Sequence, residues 1–204
     1  MSAARTAQFR RAGAAVVLAV LGAAAAAPAV AGVEEGRAKA AVCVACHGEG
    51  GNSTNPKFPS ISAQPKQFLV SALFYFREGN RKDPLMSPMA ANLSNTDLND
   101  LAAYFSAQKM ANPAVQVSPE VAAAGARIAA QQNCTACHAT NLMGQQHIPR
   151  LAGQQKEYLI EQLRGFKAST RYDSDGIMTS AAQALTPQDI ETLGASLAAL
   201  HPVP

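Results

Sequence analysis

Apolar residues recur with helical spacing along most of this chain, and strand-like alternation is weak throughout. From about Pro65 to Glu78, residues Phe68, Leu69, Leu73 and Phe76 line one face of a predicted helix. Leu98, Leu101 and Phe105 form a second stripe behind Ser94 and Asp97, a start close to a capping box. Ile190, Leu193, Leu197 and Leu200 form a third, behind Thr186-Pro187-Gln188-Asp189, which repeats that start. A further helix is expected over roughly Glu34 to Ala41. Its counterpart opens at Ser118-Pro119-Glu120, with a serine cap, a proline at the first helical position and an early acid. The predicted class is all-α.

The pattern is written twice. Phe58-Pro59-Ser60-Ile61-Ser62-Ala63-Gln64 aligns with Ile148-Pro149-Arg150-Leu151-Ala152-Gly153-Gln154, and Phe68-Leu69 with Tyr158-Leu159. Phe76-Arg77 aligns with Phe166-Lys167, and Leu93 and Asp97 with Leu185 and Asp189. The chain reads as a tandem duplication of a unit of about 85 residues. Residues 32–110 are expected to form one domain and 118–204 a second. The stretch 111–117, which holds Asn112 and Pro113, is the expected linker.

Residues 1–31 read as a secretory signal peptide. Arg5, Arg10 and Arg11 give a basic start, Ala12 to Ala27 an apolar run, and Ala29-Val30-Ala31 an A-x-A site with cleavage expected near Ala31. Removing those three arginines from seventeen basic residues leaves fourteen, against fourteen acidic ones. The basic sequence pI of 8.7 therefore belongs to the leader. No basic stripe with interleaved aromatics remains, which argues against nucleic-acid binding.

The chemistry sits in Cys43-Val-Ala-Cys46-His47 and Cys134-Thr-Ala-Cys137-His138, which use all four cysteines. A zinc site of four cysteines needs its second pair about 15–20 residues after the first; here Cys46 and Cys134 lie 88 positions apart. Two short disulfides leave the histidine after each pair unexplained. The pattern C-x-x-C-H is the attachment signature of c-type haem. Two thiols three positions apart reach the vinyl groups on one porphyrin edge, and the next residue offers an imidazole to the iron. Two covalent haem c groups are predicted, held by Cys43 and Cys46, and by Cys134 and Cys137, with His47 and His138 as axial ligands. Each unit is small and the chain has no tryptophan, so a buried haem is expected to supply much of the apolar core.

Methionine fits the opposite axial position better than histidine. His147 and His201 are expected at the surface. Met86 precedes Leu93 by seven residues and Met178 precedes Leu185 by seven, whereas Met89 has no partner in the repeat. Met86 and Met178, placed in loops, are the expected ligands, and Met89 is expected to pack nearby. His/Met ligation raises the reduction potential relative to two histidines and closes the iron to substrate, which favours electron transfer over catalysis. Pro59 follows His47 by twelve residues and Pro149 follows His138 by eleven, and each carbonyl is placed to accept the other ring N–H of its histidine.

With Cys43-Val-Ala-Cys46-His47-Gly, Gly51-Asn52-Ser53, Phe58-Pro59, the Met86 segment, Leu93-Ser94 and Ala102-Ala103-Tyr104-Phe105, followed by the second unit, the sequence resembles the dihaem cytochrome c4 family over nearly all of the mature chain. The resemblance implies two tandem class I cytochrome c domains facing each other, each wrapped around a covalently bound haem. It implies a periplasmic carrier, soluble or loosely membrane-attached, taking electrons from a cytochrome bc1-type complex or another donor and feeding a terminal oxidase. Ser196 stands where the first unit has Tyr104, which predicts looser helix packing in the second unit. The alternative reading is the cytochrome subunit of a periplasmic dehydrogenase complex, such as a flavocytochrome. A catalytic dihaem peroxidase is a further rival, and it would need an open or displaceable axial position.

Overall fold

Side-chain caps set the helices that carry the core. In the computed structural model, which describes residues 28–111 and 115–201, Ser94 accepts from the Asp97 N–H and the Asp97 carboxylate accepts from the Ser94 N–H. Thr186 and Asp189 repeat both bonds. These boxes satisfy N–H groups that a helix start otherwise leaves unpaired. The basic start and apolar run of the expected signal segment lie outside the described residues, as does 112–114 of the expected linker.

The first unit comprises α1 (Pro28–Lys39), α2 (Ala41–His47), α3 (Lys66–Arg77), α4 (Met86–Ala90) and α5 (Asn95–Ser106). The second comprises α6 (Pro119–Gln131), α7 (Cys134–His138), α8 (Lys156–Lys167), α9 (Ile177–Gln183) and α10 (Pro187–Ala198). No strand occurs among the described residues. The pairings repeat: α1 on α5 and α3 on α5, then α6 on α10 and α8 on α10. One core gathers Leu69, Leu101, Tyr104 and Phe105, the other Leu159, Ile160, Leu185, Ile190, Leu193 and Leu197. Leu200 departs from its expected stripe. It lies past the end of α10 and is 38% exposed.

The duplication extends to individual loop bonds. Ile61 and Ser62 donate their N–H groups to the Gly51 carbonyl, and Leu151 and Ala152 donate theirs to Leu142. Ala63 N–H reaches the Phe105 carbonyl, and Gly153 N–H reaches Leu197.

Glycine decides how closely the terminal helices cross. A Cβ on Gly36 of α1 would overlap the Asp100 carbonyl oxygen and lie 2.7 Å from Tyr104 Cβ. A Cβ on Gly125 of α6 would overlap Ser196. Along their lengths α6 packs less extensively against α10 than α1 does against α5, in line with the looser second unit expected from the sequence, although the two helices still approach closely at this crossing. Ser196 is buried, and its small side chain lets α6 come directly onto α10. Gly36→Ala and Gly125→Ala are each expected to cost about 1–3 kcal/mol of stability through overpacking. Chemical denaturation of the haem-loaded protein, with an unchanged m-value, checks this.

The two units meet through polar side chains that obey the repeat. Gln64 and Gln154 occupy matching positions and are both buried. Gln64 donates through Nε2 to the Arg150 carbonyl at 3.0 Å and accepts from the Arg150 N–H at 2.9 Å. Gln154 donates to the Ser60 carbonyl at 2.8 Å and accepts from the Ser60 N–H at 2.7 Å. Residues 60 and 150 are themselves matching positions, so the interface is reciprocal, as in a two-fold dimer. Gln155 to the Ser53 carbonyl and a Tyr75–Tyr172 edge contact at 5.0 Å add to it.

Candidate functional site

Each C-x-x-C-H segment folds as a short helix. Cys43, Cys46 and His47 lie on α2, and Cys134, Cys137 and His138 on α7. Cys43 and Cys134 are partly buried, Cys46 and Cys137 are exposed, and none of the four forms a disulfide. Burial raises the thiol pKa of Cys43 and of Cys134 above the ordinary value. Both histidines are buried, 6% and 5% exposed. The chain turns sharply after each, through Gly48 at φ 78° and Ala139 at φ 65°. That is a left-handed conformation which glycine adopts freely and alanine only under the constraint of the surrounding loop.

The proline carbonyls stand where the repeat places them. His47 Nδ1 lies 2.8 Å from the Pro59 carbonyl oxygen and His138 Nδ1 lies 2.8 Å from Pro149. A carbonyl has no proton to give, so Nδ1 carries the hydrogen and Nε2 keeps its lone pair. Burial lowers the pKa of both rings, against the opposing effect of the carbonyl bonds, and favours the neutral form that binds a metal. The second loop reaches the same distance with one residue fewer because Gln145 and Ile148 pair backbone to backbone within it. His147 and His201 are exposed.

The methionines sit on separate supports. Met86 opens α4 and Met178 is the second residue of α9, where loops were expected. Both helices are short, and aspartates start them. Asp83 accepts from the Leu85 and Met86 N–H groups, Asp175 from Ile177 and Asp173 from Thr179. Pro88 is tolerated because the first-turn N–H groups have no helical partner. An aspartate three to five residues ahead of each methionine was the signal in the sequence for these helices. At the other end, Arg77 bonds the Leu93 carbonyl and Lys167 the Gln183 carbonyl, tying these segments to α3 and α8. Met86 and Met178 are partly buried; Met89 is 51% exposed. The histidine helices pack instead on α1 and α6.

These residues fit a c-type haem in chemistry. Paired free thiols and a neutral imidazole with an available Nε2 stand together in each unit. Val42, Leu85, Met89 and Ile177, which adjoin the motif or the methionine, are all more than half exposed, an apolar surface suited to a porphyrin. Among the described residues, the buried Arg81 and Arg150 and the partly buried Arg171 form no ion pair with a carboxylate. Arg150, 1% exposed, places its guanidinium on the carbonyls of Ala152 and Ser62, and among the described residues its Nε has no partner. Burial pushes its pKa down to about 10, so it stays charged at neutral pH. Arg81 and Arg171, again matching positions, converge on the Gln162 carboxamide oxygen at 2.9 and 2.6 Å. Haem propionates carry the charge such guanidiniums take. Sequence reading singled out none of Gln64, Gln154, Arg150, Arg81 or Arg171 as functional; the shared Gln at the end of each Pro-containing repeat segment was visible but had no assigned partner.

The cytochrome c family model matches residues 33–109 and again 122–199. Cytochrome c4 of Pseudomonas aeruginosa is 38% identical over 176 residues, covering 81% of this chain and 87% of the relative. A thiosulfate dehydrogenase electron acceptor of Thiomonas intermedia is 34% identical, covering 79% of each chain. Among solved structures, reduced recombinant cytochrome c4 from Pseudomonas stutzeri superposes with a TM-score of 0.76 at 36% identity, covering 83% of this chain and 98% of that one.

Proposed function

Since the chain belongs to the cytochrome c4 family and is a dihaem electron carrier, we propose that it works in the periplasm, passing electrons from a cytochrome bc1-type complex or another donor to a terminal oxidase. The two covalent haem c groups, held by the four motif cysteines, would supply one-electron redox chemistry. In this reading Cys43 and Cys46 form the thioether links of the first unit, and Cys134 and Cys137 those of the second. His47 and Met86 would serve as the axial ligands of one iron, and His138 and Met178 as those of the other. Cleavage near Ala31 frees the mature protein, with residues 32–110 and 118–204 as its domains. No helix among the described residues is long and apolar enough to cross a membrane.

The observation that carries this reading is the pair of identical His–Pro bonds, 2.8 Å in each unit, which leave both Nε2 atoms available. Met86 and Met178, on separately anchored helices, would serve as the second ligands and keep substrate from the iron, which favours electron transfer over catalysis. Oxidised and reduced absorption spectra with a haem count test it. Two haems per chain, a methionine–iron charge-transfer band and rapid oxidation by a terminal oxidase are expected. A colourless protein, or one haem per chain, would overturn it.

The Thiomonas relative favours a second reading, in which the electron donor is a periplasmic dehydrogenase such as one oxidising thiosulfate. Reduction by thiosulfate only when such an enzyme is present, or co-purification with it, would select that reading.

A further inference from the structure

The interface bonds and the histidine bonds share peptide groups. The Pro59 carbonyl that accepts from His47 belongs to the same peptide as the Ser60 N–H that donates to Gln154 Oε1 at 2.7 Å. The Pro149 carbonyl that accepts from His138 belongs to the same peptide as the Arg150 N–H that donates to Gln64 Oε1 at 2.9 Å. Each unbroken path therefore runs from an imidazole, through one peptide, to a glutamine of the other unit. The amide orientations are forced. Each Oε1 meets a backbone N–H, each Nε2 meets a backbone carbonyl, and Gln154 Oε1 also accepts from its neighbour Gln155 N–H at 2.9 Å.

We propose that Gln154 is a positioning residue for His47, and Gln64 for His138, so that each unit tunes the axial histidine of the other. This rests on the reading that both histidines ligate iron. A peptide whose N–H donates to a strong acceptor becomes more polarised, and its carbonyl becomes a better acceptor. A stronger bond at Nδ1–H makes the ring a more basic ligand. A more basic ligand stabilises ferric iron and lowers the potential. Both paths are buried, where such polarisation is least screened by water. The crossed arrangement means that separating the units changes both iron sites at once.

The test uses the full, haem-loaded protein. Gln154→Met keeps the side-chain length and removes both polar atoms. It is expected to raise the potential of the first-unit haem and to move the His47 Nδ1–H proton resonance of the ferrous protein upfield, with His138 unmoved. Gln64→Met is expected to do the reverse. A general loosening of the interface would admit water, stabilise the ferric charge and lower the potentials, so the sign separates the two causes. Shifts confined to the variant's own unit, equal shifts in both, or a lowered potential would overturn the proposal. If a methionine variant fails to assemble, Gln154→Asn retains a carboxamide but withdraws it by one methylene. It predicts the same crossed upfield shift, and an unmoved His47 resonance there also overturns the coupling. Iron-bound imidazole signals from both histidines in the unaltered protein test the ligand reading separately.

Discussion

Replacing all four motif cysteines, Cys43, Cys46, Cys134 and Cys137, by alanine is expected to yield a haem-free chain that is largely unfolded. Each segment matched by the cytochrome c model is shorter than eighty residues, a size at which an apolar core is marginal. The first unit buries few large apolar side chains among the described residues, Leu69, Phe76, Leu98, Leu101, Tyr104 and Phe105, filled out by Ala40, Ala90 and Ala102. Val42, Leu85, Met89 and Ile177 stay outside both cores. Arg150 is also a buried cation whose Nε has no partner among the described residues, an arrangement that costs about 1–3 kcal/mol or more. Loss of most of the helical circular-dichroism signal, with no cooperative melt, is the expected result. A well-dispersed nuclear magnetic resonance spectrum from the haem-free variant would refute it.

The second large effect is on potential. Met178→Ala is expected to lower the potential of the second-unit haem by something of the order of 0.1 V, within the span of about 0.8 V that axial ligands control. It should abolish half of the methionine–iron charge-transfer band and admit cyanide or imidazole. Thioether ligation favours ferrous iron, and its loss leaves an axial position to water or added ligand. Met86→Ala should act in the same way on the first unit. Met89→Ala is the informative control. That side chain is 51% exposed and has no repeat partner, so potentials should stay where they are. A drop for Met89→Ala with none for Met86→Ala would transfer the ligand role from one to the other.

Much of this is legible in the sequence, for local reasons. The capping pairs Ser94–Asp97 and Thr186–Asp189 act within four residues, and the structure reproduces both. The repeat offset located the proline carbonyls, because two copies of one loop must reach the same atom. Local reading failed where elements are too short to carry a period. The helices α4 and α9 have five and seven residues, and only their aspartate starts mark them. Gly125 was not legible as the packing partner of Ser196, because it lies seventy-one positions away on another helix and a residue on one face says nothing about the one opposite.

The sequence alone determined that this is a duplicated helical chain with two haem-attachment motifs, since covalent spacing and hydrophobic period are properties of neighbouring residues. Only the tertiary structure decided how the halves face each other and that Gln64 and Gln154 reach across to the peptides holding His138 and His47. Those contacts join residues 86 and 94 positions apart. A side-chain amide pairs equally well with almost any backbone, so its partner is set by the packing of whole units and leaves no mark on the residues beside it.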